Sequence, residues 1–311
     1  MPGPSNFSIC IPSYKRPTDV CRAIKSCLVQ TGDFEIIIGD DTPGESVATV
    51  IEQTFPAEPR IRYQHNVPSL GQAGNVDSLF HKASGEWIVL LHDDDYLEPE
   101  ALSIFRREIN QYPGGTVFYG KQYVETENAR RDVAQSETFN QEFFRVKERQ
   151  GLVADPKEAV LLLQVPSNGF CLKAGVAKAH GYPGLPDSGD ACDWAFSAQL
   201  ALHESVFIFI DAYISTYVLS KKSVVRNNPK NNLTLRAMQI AERYFGGQRE
   251  TPAFGLFFKN CVGGAVAQAL AHGEREYARH LVKLAWQDKR VPRKAAVKAW
   301  LKCAFPKLAL L

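Results

Sequence analysis

The sequence predicts an α/β fold with a mostly parallel sheet followed by a helical C-terminal extension, and three observations carry that expectation. Before about residue 220, short apolar runs of strand character alternate with amphipathic stretches of helical period. One run, Trp87-Ile88-Val89-Leu90-Leu91, passes directly into His92-Asp93-Asp94-Asp95. From about Arg226 onward the chain reads as helical. Alternation points to a parallel sheet, because parallel neighbours are joined through crossover helices.

Taken in order, Phe7 to Pro12 reads as a buried strand, Thr18 to Gln30 as an amphipathic helix with Thr18 or Asp19 near its cap, and Phe34 to Gly39 as a second strand. Glu45 to Thr54 reads as a helix, Arg60 to His65 as a short strand, and Gly71 to Ser84 as a helix. Trp87 to Leu91 is the strand that delivers the acids, and Pro99 to Tyr112 is again helical. Thr116 to Tyr119 is a short strand. The polar stretch 125–150 has no clean period and reads as an excursion serving acceptor binding or an interface. Ser167 to Leu172 and Val206 to Ile210 read as strands flanking the helix-forming Ala191 to Leu202. A boundary is expected near 225, giving domains over 1–225 and 226–311.

At 311 residues with 45% hydrophobic and 23% charged side chains, the chain has the composition of a soluble globular protein, long enough for a large domain plus an extension or for two domains. Seven cysteines at 10, 21, 27, 171, 192, 261 and 303 show neither CxxC pairs nor a metal-ligand spacing. They point to reduced thiols in a cytoplasmic protein and to no zinc site. Phe7 to Pro12 is too short for the apolar core of a secretory signal. Phe254 to Ala271 is interrupted by Lys259, Asn260 and Gln268, which favours a buried helix over a membrane span.

The net charge of +2 conceals an asymmetry: from Tyr277 to Leu311, nine Lys or Arg face Asp288 alone. Apolar residues in this tail, among them Leu281, Ala285, Trp286, Val297, Trp300 and Leu301, recur at near-helical spacing. The tail therefore suits an anionic membrane surface, where a lipid-linked substrate is reachable, or packs as a core helix with a solvated basic face.

The acids carry the chemistry. A buried strand cannot keep adjacent carboxylates in the core, so they emerge at its C-terminal end, the edge where open α/β sheets bind ligands. Mutual repulsion there calls for a divalent cation, a ribose or a basic residue, and Mg²⁺ or Mn²⁺ with a substrate diphosphate fits. An acidic turn or helix cap is the plain alternative. Gly115 to Lys121 resembles a P-loop only superficially, since Gln122 stands where Ser or Thr would hold Mg²⁺ and 116–119 is apolar. Gly71-Gln72-Ala73-Gly74 lacks the third glycine of a dinucleotide fingerprint. No nucleic-acid motif is present.

Ile9-Cys10-Ile11-Pro12-Ser13-Tyr14-Lys15-Arg16-Pro17, Glu35 to Asp41, Asn66 to Asn75 and Ala83 to Asp95 together resemble a family 2 glycosyltransferase of the GT-A fold and bacterial surface-polysaccharide type. The resemblance is close over about the first hundred residues and looser to about 220. It implies a Rossmann-like domain that binds a nucleotide-diphosphate sugar (UDP, dTDP or GDP) with Mn²⁺ or Mg²⁺ and transfers a hexosyl or deoxyhexosyl group, with inversion, to a saccharide or lipid-linked acceptor. It further implies that Pro12, Ser13 and Tyr14 line the base and ribose, that Arg16 and Asn75 lie near the nucleotide, and that Asp40 or Asp41 accepts from the pyrimidine N–H. Asp95 becomes the cation ligand, with Asp93 or Asp94 on ribose or a second ligand position. His92 stands where many relatives carry the first acid, and imidazole is poor for Mg²⁺.

Within Asp187 to Phe196, the resemblance makes Asp193 the general base, with Asp190 in reserve; Cys192 replaces a Glu, and a helix-capping role for either Asp is the alternative. After Tyr217 relatives often carry a His facing the diphosphate. This chain reads Ser220-Lys221-Lys222-Ser223, so Lys222 either neutralises the leaving group or sits in a solvated loop. Two departures, His92 and Cys192, leave an inactive nucleotide-sugar-binding or scaffold protein as the second reading. A nucleotidyltransferase is a weaker third, for want of a glycine-rich basic loop after the first strand. The resemblance places the protein in the cytoplasm, peripheral to the inner membrane face if the tail binds lipid.

Overall fold

β1 (Phe7–Ser13) is apolar on both faces, as a strand with parallel neighbours on both edges must be. The computed structural model describes residues 6–126, 130–203, 205–219 and 230–304. Its other strands are β2 (Phe34–Asp40), β3 (Ile61–His65), β4 (Trp87–Leu90), β5 (Tyr96–Leu97), β6 (Val117–Thr126), β7 (Arg130–Asp132), β8 (Gly151–Leu152), β9 (Phe170–Lys173) and β10 (Phe207–Leu219). They form one sheet in the order β3-β2-β1-β4-β9-β6-β10-β5, with β7 on β6 and β8 on β10. Among the described residues, β1 to β4, β6 and β10 run in one direction, and the shorter strands run against them.

Register decides what meets at the sheet's C-terminal edge. Ser13 pairs with Asp40 and Asp40 with His65, so β1, β2 and β3 end level. β4 is flanked by β1 and β9, and whatever follows Leu90 emerges between the ends of those two strands.

The chain divides into two compact units. Met1–Pro156, Gln164–Tyr182 and His203–Lys221 form the first, and Lys157–Leu163, Pro183–Leu202 and Lys222–Leu311 form the second. The boundary expected near 225 lies outside the described residues.

In the first unit, α1 (Pro17–Leu28) has Pro at its start and buries Val20, Ala23, Ile24 and Cys27, one face at helical spacing. α2 (Ser46–Thr54), α3 (Gly71–Lys82) and α4 (Ala101–Gln111) follow their strands as the alternation predicts. Phe7, Ile9, Ile11, Ile36, Ile38 and Val89 form a core with the buried faces of α1, α2 and α4. β6 and β10 run well past the expected Tyr119 and Ile210. Gly120 permits this, since a Cβ there would lie 2.7 Å from the Ala212 carbonyl at the β10 irregularity. The stretch 125–150 contains the end of β6, β7 and a helix, α5 (Val133–Glu142), capped by Asp132, whose side chain accepts from Gln135 N–H at 2.9 Å. Further on, α6 (Pro156–Leu161) lies between β8 and β9 in sequence, and α7 (Ala174–His180) follows β9.

The second unit is helical: α8 (Cys192–Leu202), α9 (Leu233–Tyr244), α10 (Pro252–Ala271), α11 (Arg275–Gln287) and α12 (Arg293–Ala304), with most of α6. α10 is packed by α9, α11 and α12 and buries Phe254, Phe257, Phe258, Val262 and Val266. By length and composition it is, among the described residues, the one helix that could cross a membrane, and 56% of its most apolar stretch is buried in the fold. Basic residues of the tail flank helices whose apolar residues divide: Leu281, Ala285 and Val291 are core, whereas Trp286, Val297, Trp300 and Leu301 are exposed.

Gly39 on β2 supplies a test of the packing between sheet and α3. A Cβ at Gly39 would lie 2.0 Å from Asn75 Oδ1, an atom held by the buried Asn66 amide. Gly39→Ala should therefore destabilise the protein by roughly 1–3 kcal/mol in urea denaturation, and an unchanged midpoint would refute that packing.

Candidate active site

Leu91 still donates to the Cys10 carbonyl at 3.0 Å, so the chain stays beside β1 for one residue beyond β4 before His92 to Asp95 leave the sheet. A turn closes with Asp95 N–H donating to the His92 carbonyl at 3.2 Å. The first two acids share Arg16, and the third has partners of its own. Asp93 accepts from Ser13 Oγ at 2.9 Å, Tyr14 N–H at 3.1 Å and Arg16 Nη1 at 2.9 Å. Asp94 takes the same Arg16 nitrogen at 2.6 Å. Asp95, fully buried, accepts from Val218 N–H on one oxygen and Asn168 Nδ2 on the other, both at 2.8 Å.

Burial raises the Asp93 carboxyl to about 6, the Arg16 charge working against the rise and Asp94 adding to it. Asp95 is likewise pushed well above the ordinary carboxylate range, chiefly by burial and then by the Asp94 charge. Burial opposes the charge on Arg16, but Asp93 and Asp94 outweigh it and hold the guanidinium above its ordinary value.

His92, Asp94 and Asp95 each offer one ligand atom, all within 4.8 Å of one another. One imidazole and two carboxylates suit a divalent cation, and suit Mn²⁺ better than Mg²⁺, which prefers oxygen. Asn168 supports that fit, since its Oδ1 is buried beside these ligands without a hydrogen-bond partner among the described residues. Asp94 and Asp95, the expected metal residues, thus lie together, and His92 joins them.

The residues expected to bind nucleotide separate into two kinds. Pro12 and Ser13 end β1, and Tyr14 follows half-exposed, with the Lys15 ammonium 4.8 Å from its ring centre. Arg16, expected near the nucleotide, is bound to Asp93 and Asp94. Asp40 has both oxygens engaged, by Thr42 N–H at 2.8 Å and Tyr63 Oη at 2.7 Å. Asp41 differs: Asn66 Nδ2 at 2.8 Å and Leu70 N–H at 3.1 Å share its Oδ1, which among the described residues leaves Oδ2 as the better placed acceptor of the pair. Asn75 donates to the Gly39 carbonyl at 2.7 Å and accepts from Asn66 at 3.1 Å, tying α3 to β2.

Asp190 and Asp193 belong to the second unit. Asp190 and Asn232 are reciprocally bound, Asp190 Oδ2 accepting from Asn232 N–H at 2.8 Å and Asn232 Oδ1 accepting from Asp190 N–H at 2.9 Å. Asn232 precedes α9, so Asp190 secures the start of that helix. Asp193 is half-buried in the first turn of α8, and its neighbour Cys192 is buried, the thiol 3.8 Å from Asp193 Oδ1. Lys222 lies outside the described residues. Asn168 was not legible as a site residue from sequence, because a lone Asn ahead of a strand carries no motif.

The raised Asp93 carboxyl makes a stability prediction. Its ordinary value is 3.8 and its folded value about 6, so between these the folded chain holds a proton that the unfolded chain releases. The group's stabilising contribution is complete below the unfolded value and is lost as pH rises through about 6. Asp93→Asn should therefore flatten the decline in stability across that window, measured as urea midpoints against pH, and a parallel decline in both proteins would contradict the assignment.

A family model described as glycosyl transferase family 2 matches residues 8–162. A Campylobacter jejuni protein named GalNAc(5)-diNAcBac-PP-undecaprenol beta-1,3-glucosyltransferase is 32% identical over 125 residues, 39% of each chain. The putative colanic acid biosynthesis glycosyl transferase WcaA of Escherichia coli is 34% identical over 121 residues, 38% of this chain and 43% of that one. The match thus spans about two fifths of these relatives' length. In fold, the chain is similar to Staphylococcus aureus TarS 1-349 in complex with UDP-GlcNAc, at TM-score 0.59 and 14% identity over 85% of this chain and 81% of that one. It is similar too to the mannosyltransferase PcManGT of Pyrobaculum calidifontis in complex with GDP-Man and Mn²⁺, at TM-score 0.55 and 11% identity over 97% and 88%. The sheet, the acids at the end of β4 and the matched segment agree: residues 8–162 of the chain belong to glycosyl transferase family 2.

Proposed function

We propose that the protein is a metal-dependent inverting glycosyltransferase that moves a sugar from a nucleotide-diphosphate donor to a hydroxyl of a saccharide or lipid-linked saccharide. The observation that carries this reading is the convergence of Ser13, Tyr14, Arg16 and Asn168 on three acids that include two potential cation ligands. His92, Asp94 and Asp95 would hold Mn²⁺ or Mg²⁺, whose charge offsets that developing on the departing diphosphate. Asp41, with an oxygen to spare, accepts from the pyrimidine N–H, while Ser13 and Tyr14 line the nucleotide from the end of β1. Arg16 holds Asp93 and Asp94 in position. Lys222 is assigned to the diphosphate on sequence alone.

Asp193 takes the proton of the acceptor hydroxyl as its oxygen attacks the anomeric carbon from the face opposite the diphosphate, which inverts that centre. Asp190 is the reserve candidate, and its carboxylate accepts from Asn232 N–H at the start of α9. In Asp193→Asn, turnover should fall by roughly 10²- to 10⁴-fold while donor affinity hardly changes. Asn caps a helix about as well as Asp, so a purely capping Asp193 would leave both rate and stability nearly untouched. Absence of transfer by the wild type with every UDP, dTDP and GDP sugar would favour an inactive nucleotide-sugar-binding protein.

Peripheral attachment to the cytoplasmic face of a membrane is part of the proposal. Support comes from the exposed Trp286, Val297, Trp300 and Leu301, which share the last two described helices with the exposed Arg293, Lys294 and Lys298. The name of the Campylobacter relative, with its PP-undecaprenol acceptor, is consistent with a lipid-linked substrate. Truncating the whole tail would strip Leu281 and Ala285 from the core, so point substitutions are the cleaner test. Lys294→Gln with Lys298→Gln should weaken binding to anionic vesicles by about 1 kcal/mol per lost charge, and added salt should weaken the wild type. Vesicle binding indifferent to both would leave the tail as a core element with a solvated face.

A further inference from the structure

Asn168 has no assigned role, yet it is fully buried and touches two of the three candidate cation ligands. Its Nδ2 donates to Asp95 Oδ2 at 2.8 Å and lies 3.4 Å from His92 Nδ1. That fixes which way the amide faces, since the flipped amide would set its oxygen against a carboxylate oxygen. The same orientation leaves Oδ1 buried without a partner among the described residues. Chains keep such an unsatisfied acceptor only where something else compensates it, and a ligand site is one such place.

The backbone around Asn168 is also held. Gly169 N–H donates to the Leu90 carbonyl at 2.7 Å, joining the segment to the end of β4. Gly169 has φ +74°, and a Cβ there would lie 2.2 Å from Ser215 Oγ, so only glycine lets β10 approach. Behind it, Gln122 Nε2 contacts Ser215 Oγ at 3.1 Å and the Asn168 carbonyl at 3.4 Å, while Gln122 Oε1 accepts from the buried Arg145 Nη1 at 3.1 Å. Arg145 is anchored in turn by its Nε, which donates to the Gln164 carbonyl at 2.7 Å.

We infer that Asn168 is a positioning residue for the cation site: its amide holds the Asp95 carboxylate and the His92 ring in one arrangement, and Arg145 and Gln122 hold Asn168. The inference rests on the cation reading given above. It has a consequence for ion choice. Orientation of a carboxylate matters to Mn²⁺ and Mg²⁺ alike, whereas orientation of an imidazole matters mainly to Mn²⁺. Loss of Asn168 should therefore weaken Mn²⁺ binding more than Mg²⁺ binding. Residues that orient metal ligands are commonly worth 10- to 100-fold in affinity.

The test is binding of the metal alone to the full chain, Mn²⁺ by paramagnetic resonance and Mg²⁺ by competition. Asn168→Ala and the volume-conserving Asn168→Leu are compared with the wild type, each with its circular dichroism recorded. At least one folded variant should lose Mn²⁺ affinity by roughly tenfold or more, with a fall in the Mn²⁺ to Mg²⁺ affinity ratio. Unchanged Mn²⁺ affinity in a folded variant, or equal losses for both ions, would overturn the positioning role while leaving the cation reading standing. Failure of both variants to fold would also overturn it, by making Asn168 a general stability residue. No Mn²⁺ binding by the wild type would instead sink the cation reading, and this inference with it.

Discussion

Everything at the sheet's C-terminal edge follows from the need to satisfy three consecutive carboxylates, two of them buried. A buried, unpaired carboxylate is untenable, so each acid must find donors. Asp93 obtains them from the end of β1, Asp94 from Arg16, and Asp95 from Asn168 and the Val218 N–H of β10. The sheet order supplies these partners. Because β4 lies between β1 and β9, the residues following the one and preceding the other flank the acids. Arg16 can reach both Asp93 and Asp94 because it comes three residues after β1 ends at Ser13, ahead of Pro17, which starts α1.

The same demand for satisfied polar groups explains how β6 is held midway along its length. Its partner β9 covers Val117 and Phe118 and β7 covers Val124 to Thr126, which leaves Gln122 between them. α5 closes that gap with side chains rather than an apolar face. Asn140 accepts from Gln122 N–H at 3.1 Å and donates to the Gln122 carbonyl at 2.8 Å, and Ser136 Oγ accepts from Val124 N–H at 2.8 Å. The helix thus behaves as a strand's hydrogen-bonding partner. This region in turn carries Gln122, which leads to Asn168 and so to Asp95.

That arrangement shows why parts of the fold were legible in sequence and others were not. β1 to β4 and their helices follow from apolar runs and one-sided helices, both of which are local patterns. α5 buries Ser136 and Asn140 and exposes Val133, the inverse of an amphipathic helix, so no periodicity could reveal it. β10 breaks its alternation at Asp211 and Ala212, where its register against β6 shifts, and a period-2 reading therefore stops at Ile210. At the site, the acid run was plain because adjacent Asp residues after a buried strand have few structural uses. Which of Asp40 and Asp41 keeps an oxygen available was not, because it depends on Tyr63, Asn66 and Leu70 arriving from later elements.

Asp190 and Asp193 carry the same logic into the second unit. Three residues apart and chemically identical, they were separable in sequence only through resemblance. The reciprocal pair between Asp190 and Asn232 separates them physically. Asp190 gives up a lone pair to the residue at the start of α9 and takes the Asn232 amide oxygen on its own N–H, so it links the turn before α8 to the next described helix. A carboxylate in that position is held by what it supports, and protonating it would weaken the joint. Asp193 is in the first turn of α8, beside the buried Cys192 thiol. In the function proposed above, Asp190 serves the fold and Asp193 the chemistry.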